Sequence, residues 1–121
     1  MKYDDNNIFA KILRGEIPCN KIYEDDFVLS FYDINPQKKI HALVIPKGKY
    51  IDLDDFNTNA SNEEIIGLMK GITTVAKKLG ISSIDGQGYR ALANISDYGG
   101  QEVPHLHFHL FGGEKVGKMV S

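Results

Sequence analysis

The chain has 121 residues, with 42% hydrophobic and 25% charged residues and a formal net charge of −2. That length can bury one core without staples, and the charge supplies no basic field for nucleic acid. Cys19 is the sole cysteine, which excludes an internal disulfide and zinc sites of the Cys-x-x-Cys type. No apolar run approaches the roughly 20 residues that span a bilayer, and the opening Met1-Lys2-Tyr3-Asp4-Asp5-Asn6-Asn7 is polar and acidic, unlike a signal peptide. A cytoplasmic protein without membrane or nucleic-acid partners is expected.

Ile8 to Leu13 repeats apolar residues at helical spacing, with Asp5 or Asn6 as N-cap and Gly15 past the end, so a short helix is predicted. Pro18 then enforces an extended segment. Lys21–Glu24 and Phe27–Asp33 are β-rich runs around Asp25-Asp26, the pattern of a hairpin. After the turn Asn35–Lys39, His41–Ile45 reads as a strand stopped by Pro46. Residues 47–60 form a polar connection with one helical turn near Ile51–Phe56. Ser61 and Glu64 make a capping box for a long helix whose buried stripe is Ile65, Leu68, Met69, Ile72, Val75, Ala76 and Leu79, with Gly80 as its stop. Tyr89–Ile95 is a fourth β-run, followed by a Gly-containing loop through Gly99-Gly100 to Pro104. The order of helix, hairpin, strand, long helix and two strands predicts one α+β domain. Its mainly antiparallel sheet of about five strands carries one short and one long helix on one face.

Three of the four histidines fall in His105-Leu106-His107-Phe108-His109-Leu110-Phe111 at two-residue spacing. On an extended segment His105, His107 and His109 share one face, and Leu106, Phe108 and Leu110 share the other. The apolar face seeks a core, and the imidazole face is expected to line a cleft. Three readings compete. Isolated histidines, such as His41 alone, are commonly structural or surface residues. Imidazoles also bind zinc or copper, but the outer pair, about 13 Å apart, does not easily reach one ion, and a tetrahedral site would need His41, Asp33 or another chain. The third reading is nucleophilic and acid–base chemistry at phosphorus, in which one ring attacks while its neighbours orient it, bind oxygens or protonate the leaving group. Gly99-Gly100 could bring backbone N–H groups to a phosphate.

The seven residues from His105 to Phe111 fit the histidine-triad motif His-φ-His-φ-His-φ-φ, and the chain resembles the Hint branch of that superfamily over nearly its whole length. The resemblance rests also on Ile8–Ile12, Gly15–Pro18, Tyr23–Asp26, Phe31–Gln37, His41–Lys47, Asn94, Gly99–Gln101 and Gly112-Gly113. It implies a hydrolase of purine nucleoside 5′-phosphoramidates or acyl adenylates, working as a homodimer with one continuous sheet and no metal or other cofactor. It makes His107 the nucleophile, has His109 contact the phosphate and leaving group, and makes His105 and His41 a supporting relay behind His107. It sets Asp33 on the ribose hydroxyls, Ile34, Phe9, Ile8, Ile12 and Phe31 around a purine of AMP or GMP type, and Asn94, Gly100, Gln101 and Glu102 on the phosphate side. On their own chemistry, Asp33 could equally be a turn residue and Phe9 and Phe31 core residues.

Three departures stand out. Relatives with a structural zinc carry cysteines where this chain has Asn7 and Ala10. Glu102 stands where many members have serine, which puts a negative charge near the leaving group. The tail from Glu114 to Ser121 lacks an aromatic, proline-rich ending. The alternatives to a phosphoramidase are a dinucleoside polyphosphate hydrolase and a nucleotide-binding regulatory module with incidental hydrolysis.

Overall fold

A computed structural model describes residues 2–119, so Met1 and the last two residues of the tail fall outside it. In chain order the elements are α1 (Ile8–Leu13), β1 (Lys21–Glu24), β2 (Val28–Tyr32), β3 (Ile40–Pro46), α2 (Leu53–Asn59), α3 (Asn62–Lys78), β4 (Arg90–Leu92) and β5 (Phe108–Gly112). The five strands form one antiparallel sheet in the order β1-β2-β3-β5-β4. The predicted hairpin is β1 and β2, turned by Asp25, whose carboxylate accepts the N–H groups of Phe27 and Val28 at 2.8 and 2.9 Å.

The sheet has an apolar layer on each side. Val28, Ala42, Val44 and Leu110 point to the side covered by α2 and α3, where they meet Phe56, Leu68, Ile72 and Val75. Leu29, Phe31, Leu43 and Ile45, their alternates along β2 and β3, face the other way and pack with Phe9 of α1. The helices therefore do not share one face as expected: α1 lies opposite α2 and α3. The physical reason is the near-continuous apolar run of β2 and β3, which has two faces to bury rather than one.

α3 keeps the predicted capping box. Ser61 Oγ accepts the Glu64 N–H at 3.1 Å, and the Glu64 carboxylate accepts the Ser61 N–H at 3.0 Å. Gly80 follows at φ +74°, a left-handed conformation that ends a helix without a Cβ clash. Met69, predicted to be buried, is 48% exposed, because it sits at the edge of the stripe formed by Leu68, Ile72 and Val75. The N-cap of α1 is Asn7, not Asp5 or Asn6: its side-chain oxygen accepts the Ala10 N–H at 2.9 Å. The single turn expected near residues 51–56 is a full helix, α2, capped by Asp52 on the Asp55 N–H. The run predicted over Tyr89–Ile95 pairs only along β4, since Ser96 at φ +60° turns the chain into the next loop.

The histidine segment also departs from a full strand. Pairing with β3 ends at Phe108, opposite Val44. Leu106 instead gives its N–H to the Tyr50 carbonyl at 2.9 Å, which fastens the segment beyond the ladder, just after the bend at residues 103–105. The alternation survives: Leu106 and Leu110 enter the core under α2 and α3, while the three imidazoles face the α1 side. Leu106 is 1% exposed, so Leu106→Ala is expected to lower the unfolding free energy by ~3 kcal/mol through lost burial and a cavity. Urea denaturation followed by circular dichroism measures that loss.

Candidate active site

The α1 face of the sheet carries a cleft of about 450 Å³ above β3 and β5. His107 and His109 line it, with ring centroids 5.0 Å apart. Phe9 stands edge-on to His107 at 4.9 Å and rests in turn on Phe31 at 5.6 Å. At the other end Phe111 stacks parallel on His109 at 5.7 Å and lies 4.3 Å from His41. Leu43 and Leu92, the two cross-strand partners of His109, line the cleft with it.

Backbone hydrogen bonds fix which nitrogen of each imidazole carries its proton, because a carbonyl only accepts and an amide N–H only donates. His107 Nδ1 lies 2.7 Å from the His105 carbonyl oxygen, so Nδ1 holds the proton and Nε2 keeps a free lone pair. Among the described residues every buried side-chain nitrogen and oxygen has a partner. His107 Nε2 has none among those residues, so that atom reaches the cleft. His105 Nε2 donates to the Pro46 carbonyl at 2.9 Å, and its Nδ1 accepts from the Tyr3 hydroxyl at 2.6 Å. His41 Nδ1 accepts the Gln37 N–H at 3.1 Å, so its Nε2 proton is donated to His109 Nδ1 at 2.9 Å. That leaves His109 with its own proton on Nε2.

Burial keeps these rings neutral. It draws His105 down to about 4, aided by the neighbouring charge of His107 and opposed by the Pro46 carbonyl. Burial likewise takes His109 to about 4, with His107 and His41 adding to the fall and Asp33 resisting it. His107 is lowered first by burial, against the His105 carbonyl, Asp33 and Glu102. His41 is lowered by burial against Asp33. The nucleophilic form of His107 is thus the resting form at neutral pH.

Asp33, His41 and His109 bring three ligand atoms within 4.8 Å of one another, the one such group among the described residues. A metal on His41 Nε2 would require the proton on Nδ1, where the Gln37 N–H already points. Donor would face donor, whereas metal-bound histidines give their second N–H to an acceptor. The hydrogen bonding of this group therefore does not suit an ion.

The structure brings Phe9, Asp33, His41, Asn94, Gly100, Glu102, His107 and His109 to this one cleft. It leaves other expected site residues elsewhere. Phe31 lies in the core beneath Phe9, and Ile12 packs at the edge of that same core. Ile8 and Ile34 are 42% and 85% exposed and do not line the cleft. His105 is wholly buried behind His107 rather than in the cleft. Nor do His105 and His41 form one relay behind His107: the first supports His107 through its carbonyl, and the second bonds to His109. Gln101 is spent internally, its Oε1 accepting the Ser96 N–H and its Nε2 donating to the Ile51 and Val103 carbonyls at 2.6 and 3.0 Å. It locks the loop in which Gly100, at φ +76°, makes a turn unfavourable to other residues. Sequence reasoning missed Gln37 and Phe111. The two-residue spacing from His109 to Phe111 held a signal for the second; no side-chain signal existed for Gln37, which acts through its backbone.

The whole chain can now be set beside known proteins. A HIT domain family model matches residues 14–116. An uncharacterized HIT-like protein of Azospirillum brasilense is 50% identical over 98% of this chain and 95% of its own. A purine nucleoside phosphoramidase of Escherichia coli is 41% identical over 97% and 95%, respectively. A HIT family hydrolase from Clostridium thermocellum superposes with a TM-score of 0.85 at 36% identity, covering 98% of this chain and 99% of that one. The chain belongs to the HIT family. These likenesses support hydrolysis of a nucleotide as its general activity.

Depressed imidazole values make stability depend on pH. Between the ordinary 6.5 and about 4 the unfolded chain binds protons at His105 and His109 that the folded chain refuses. Stability is therefore lost as pH falls through that window. His109→Gln is expected to flatten the decline of the urea midpoint between pH 6.5 and 4, as read in parallel denaturation series.

Proposed function

We propose that the cleft binds a purine nucleoside 5′-phosphoryl group and hydrolyses its bond to nitrogen or to an acyl oxygen through a nucleotidyl intermediate on His107. The observation that carries this reading is the free Nε2 lone pair of His107, presented to the cleft by a neutral ring whose other nitrogen is anchored. His107 Nε2 attacks phosphorus, a P–N bond to the protein forms, and the bond to the leaving group breaks. The departing amine takes a proton from the His41–His109 pair, which acquires one when the anionic substrate binds. Water then attacks phosphorus, its proton returns to the pair, and the nucleoside monophosphate leaves with His107 neutral again. The nearness of Asp33 to His41, 3.5 Å from carboxylate oxygen to Nε2, suits both this proton traffic and ribose hydroxyls at the mouth.

In this reading the protein works as a homodimer in the cytoplasm. The exposed edge of β4, paired only with β5, is where the sheet can continue into a second copy.

His107→Asn is expected to lower kcat with adenosine 5′-phosphoramidate by at least ~10³-fold while nucleotide affinity changes little. Mass spectrometry of acid-labile adducts on the peptide carrying His107, after rapid quenching of wild-type turnover, checks the intermediate. Persistent activity in the variant would remove His107 from the reaction, and cleavage of a diadenosine polyphosphate alone would favour the other hydrolase branch. Asp33→Asn is expected to raise KM for the ribonucleotide ~10-fold and for the 2′,3′-dideoxy analogue much less, since a charged acceptor for sugar hydroxyls contributes on the order of 1.5–3 kcal/mol.

A further inference from the structure

We infer that Glu102 selects leaving groups that carry a positive charge close to the bond that breaks; this rests on the hydrolase reading above. The anomaly behind it is electrostatic. A site for an anionic phosphoryl group ordinarily gathers cations. Here no lysine or arginine lines the cleft among the described residues, its histidines rest neutral, and its only charged lining groups are Asp33 and Glu102. A substrate with a neutral leaving group would bring its phosphate into a cleft with two carboxylates, offset only by the proton that the His41–His109 pair takes up.

The two carboxylates do different work. Asp33 acts on His41, His107 and His109 alike, and its oxygen lies beside His41. Glu102 lines the cleft together with His107, the ring that attacks phosphorus in the reading above, and opposes the fall of its pKa. Glu102 is exposed, and no ion pair among the described residues occupies it. It is also held in place: Gln101 beside it is bonded to Ser96, Ile51 and Val103, so the Glu102 backbone cannot swing away. The complementary substrate is a nucleoside 5′-phosphoryl group joined to an amine or acyl group that bears an ammonium a few bonds beyond, as in a diamine or an amino acid. That ammonium offsets the phosphate and meets Glu102 at once, and it departs with the leaving group when His107 Nε2 bonds to phosphorus.

The test compares two adenosine 5′-phosphoramidates of equal size, one from propylamine and one from ethylenediamine, whose far amine is protonated. Wild type is expected to favour the ethylenediamine substrate about 10-fold in kcat/KM, the scale of one partly screened charge pair. Glu102→Gln is expected to bring the ratio near one, both by slowing the charged substrate and by speeding the neutral one. Glu102→Ser gives a second reading of the same ratio. In unmodified protein, raising salt from about 20 to 500 mM should shrink the preference as screening grows. A wild-type ratio near one, or a preference that survives both substitutions, overturns the role of Glu102 while leaving hydrolysis intact. If wild-type protein turned over neither compound, the hydrolase reading itself would fail and this inference with it.

Discussion

One hydrogen bond, from His107 Nδ1–H to the His105 carbonyl oxygen, fixes the state of the imidazole at the centre of the cleft. A neutral imidazole has one proton and one lone pair, and a carbonyl takes only the proton. The bond therefore chooses the tautomer, aims the ring and leaves Nε2 bare. The carbonyl is itself immobile, because the His105 ring beneath it is tied to Tyr3 on one side and Pro46 on the other. That bracing joins the N-terminal segment, the end of β3 and the approach to β5, three stretches distant in sequence. The N-terminal segment and the histidine segment are thus braced together, with Phe9 packed against both His105 and His107.

Burial adds a second constraint that acts through charge. Three imidazoles lining one cleft and a fourth buried behind them would repel one another if protonated, and the desolvated rings stay neutral instead. Neutrality leaves His107 Nε2 with a free lone pair and leaves the His41–His109 pair able to take up a proton. A different constraint, the tautomer of His41, argues against a resident ion. Asp33, His41 and His109 have the composition of a metal site but not its wiring, since the backbone of Gln37 points a donor at the one nitrogen that a ligand histidine needs to protonate.

Much of this could be read from the residues. Period-two alternation placed Leu106 and Leu110 in the core and the histidines opposite, and it did so correctly although residues 105–107 lie outside the ladder; side-chain direction depends on extended backbone, not on pairing. The capping box of Ser61 and Glu64 and the hairpin at Asp25-Asp26 are local devices, and local devices are legible. The side taken by α1 was not, because a six-residue helix with one apolar stripe carries no mark of which sheet face it will cover. The split roles of His41 and His105 were equally hidden: each depends on a backbone group, Gln37 N–H or Pro46 C=O, that every residue type possesses. Gln101 was read as a ligand because a polar side chain in a glycine-rich loop resembles one, yet its three hydrogen bonds close the loop on itself.

The loop that Gln101 closes explains how a carboxylate can persist at the edge of an anion site. A mobile Glu102 would turn to solvent when a phosphate arrived and would discriminate nothing. With its backbone tethered through Gln101 and its side chain lining the same cleft as His107, Glu102 sets a negative charge before every substrate that enters, at a cost to those that bring only negative charge. The neutral imidazoles cannot offset that cost in the resting state, and the His41–His109 pair takes up only the proton that the leaving group will need. On the hydrolase reading proposed above, the remaining charge balance comes with the substrate, and recognition would extend beyond the nucleotide to the group that departs.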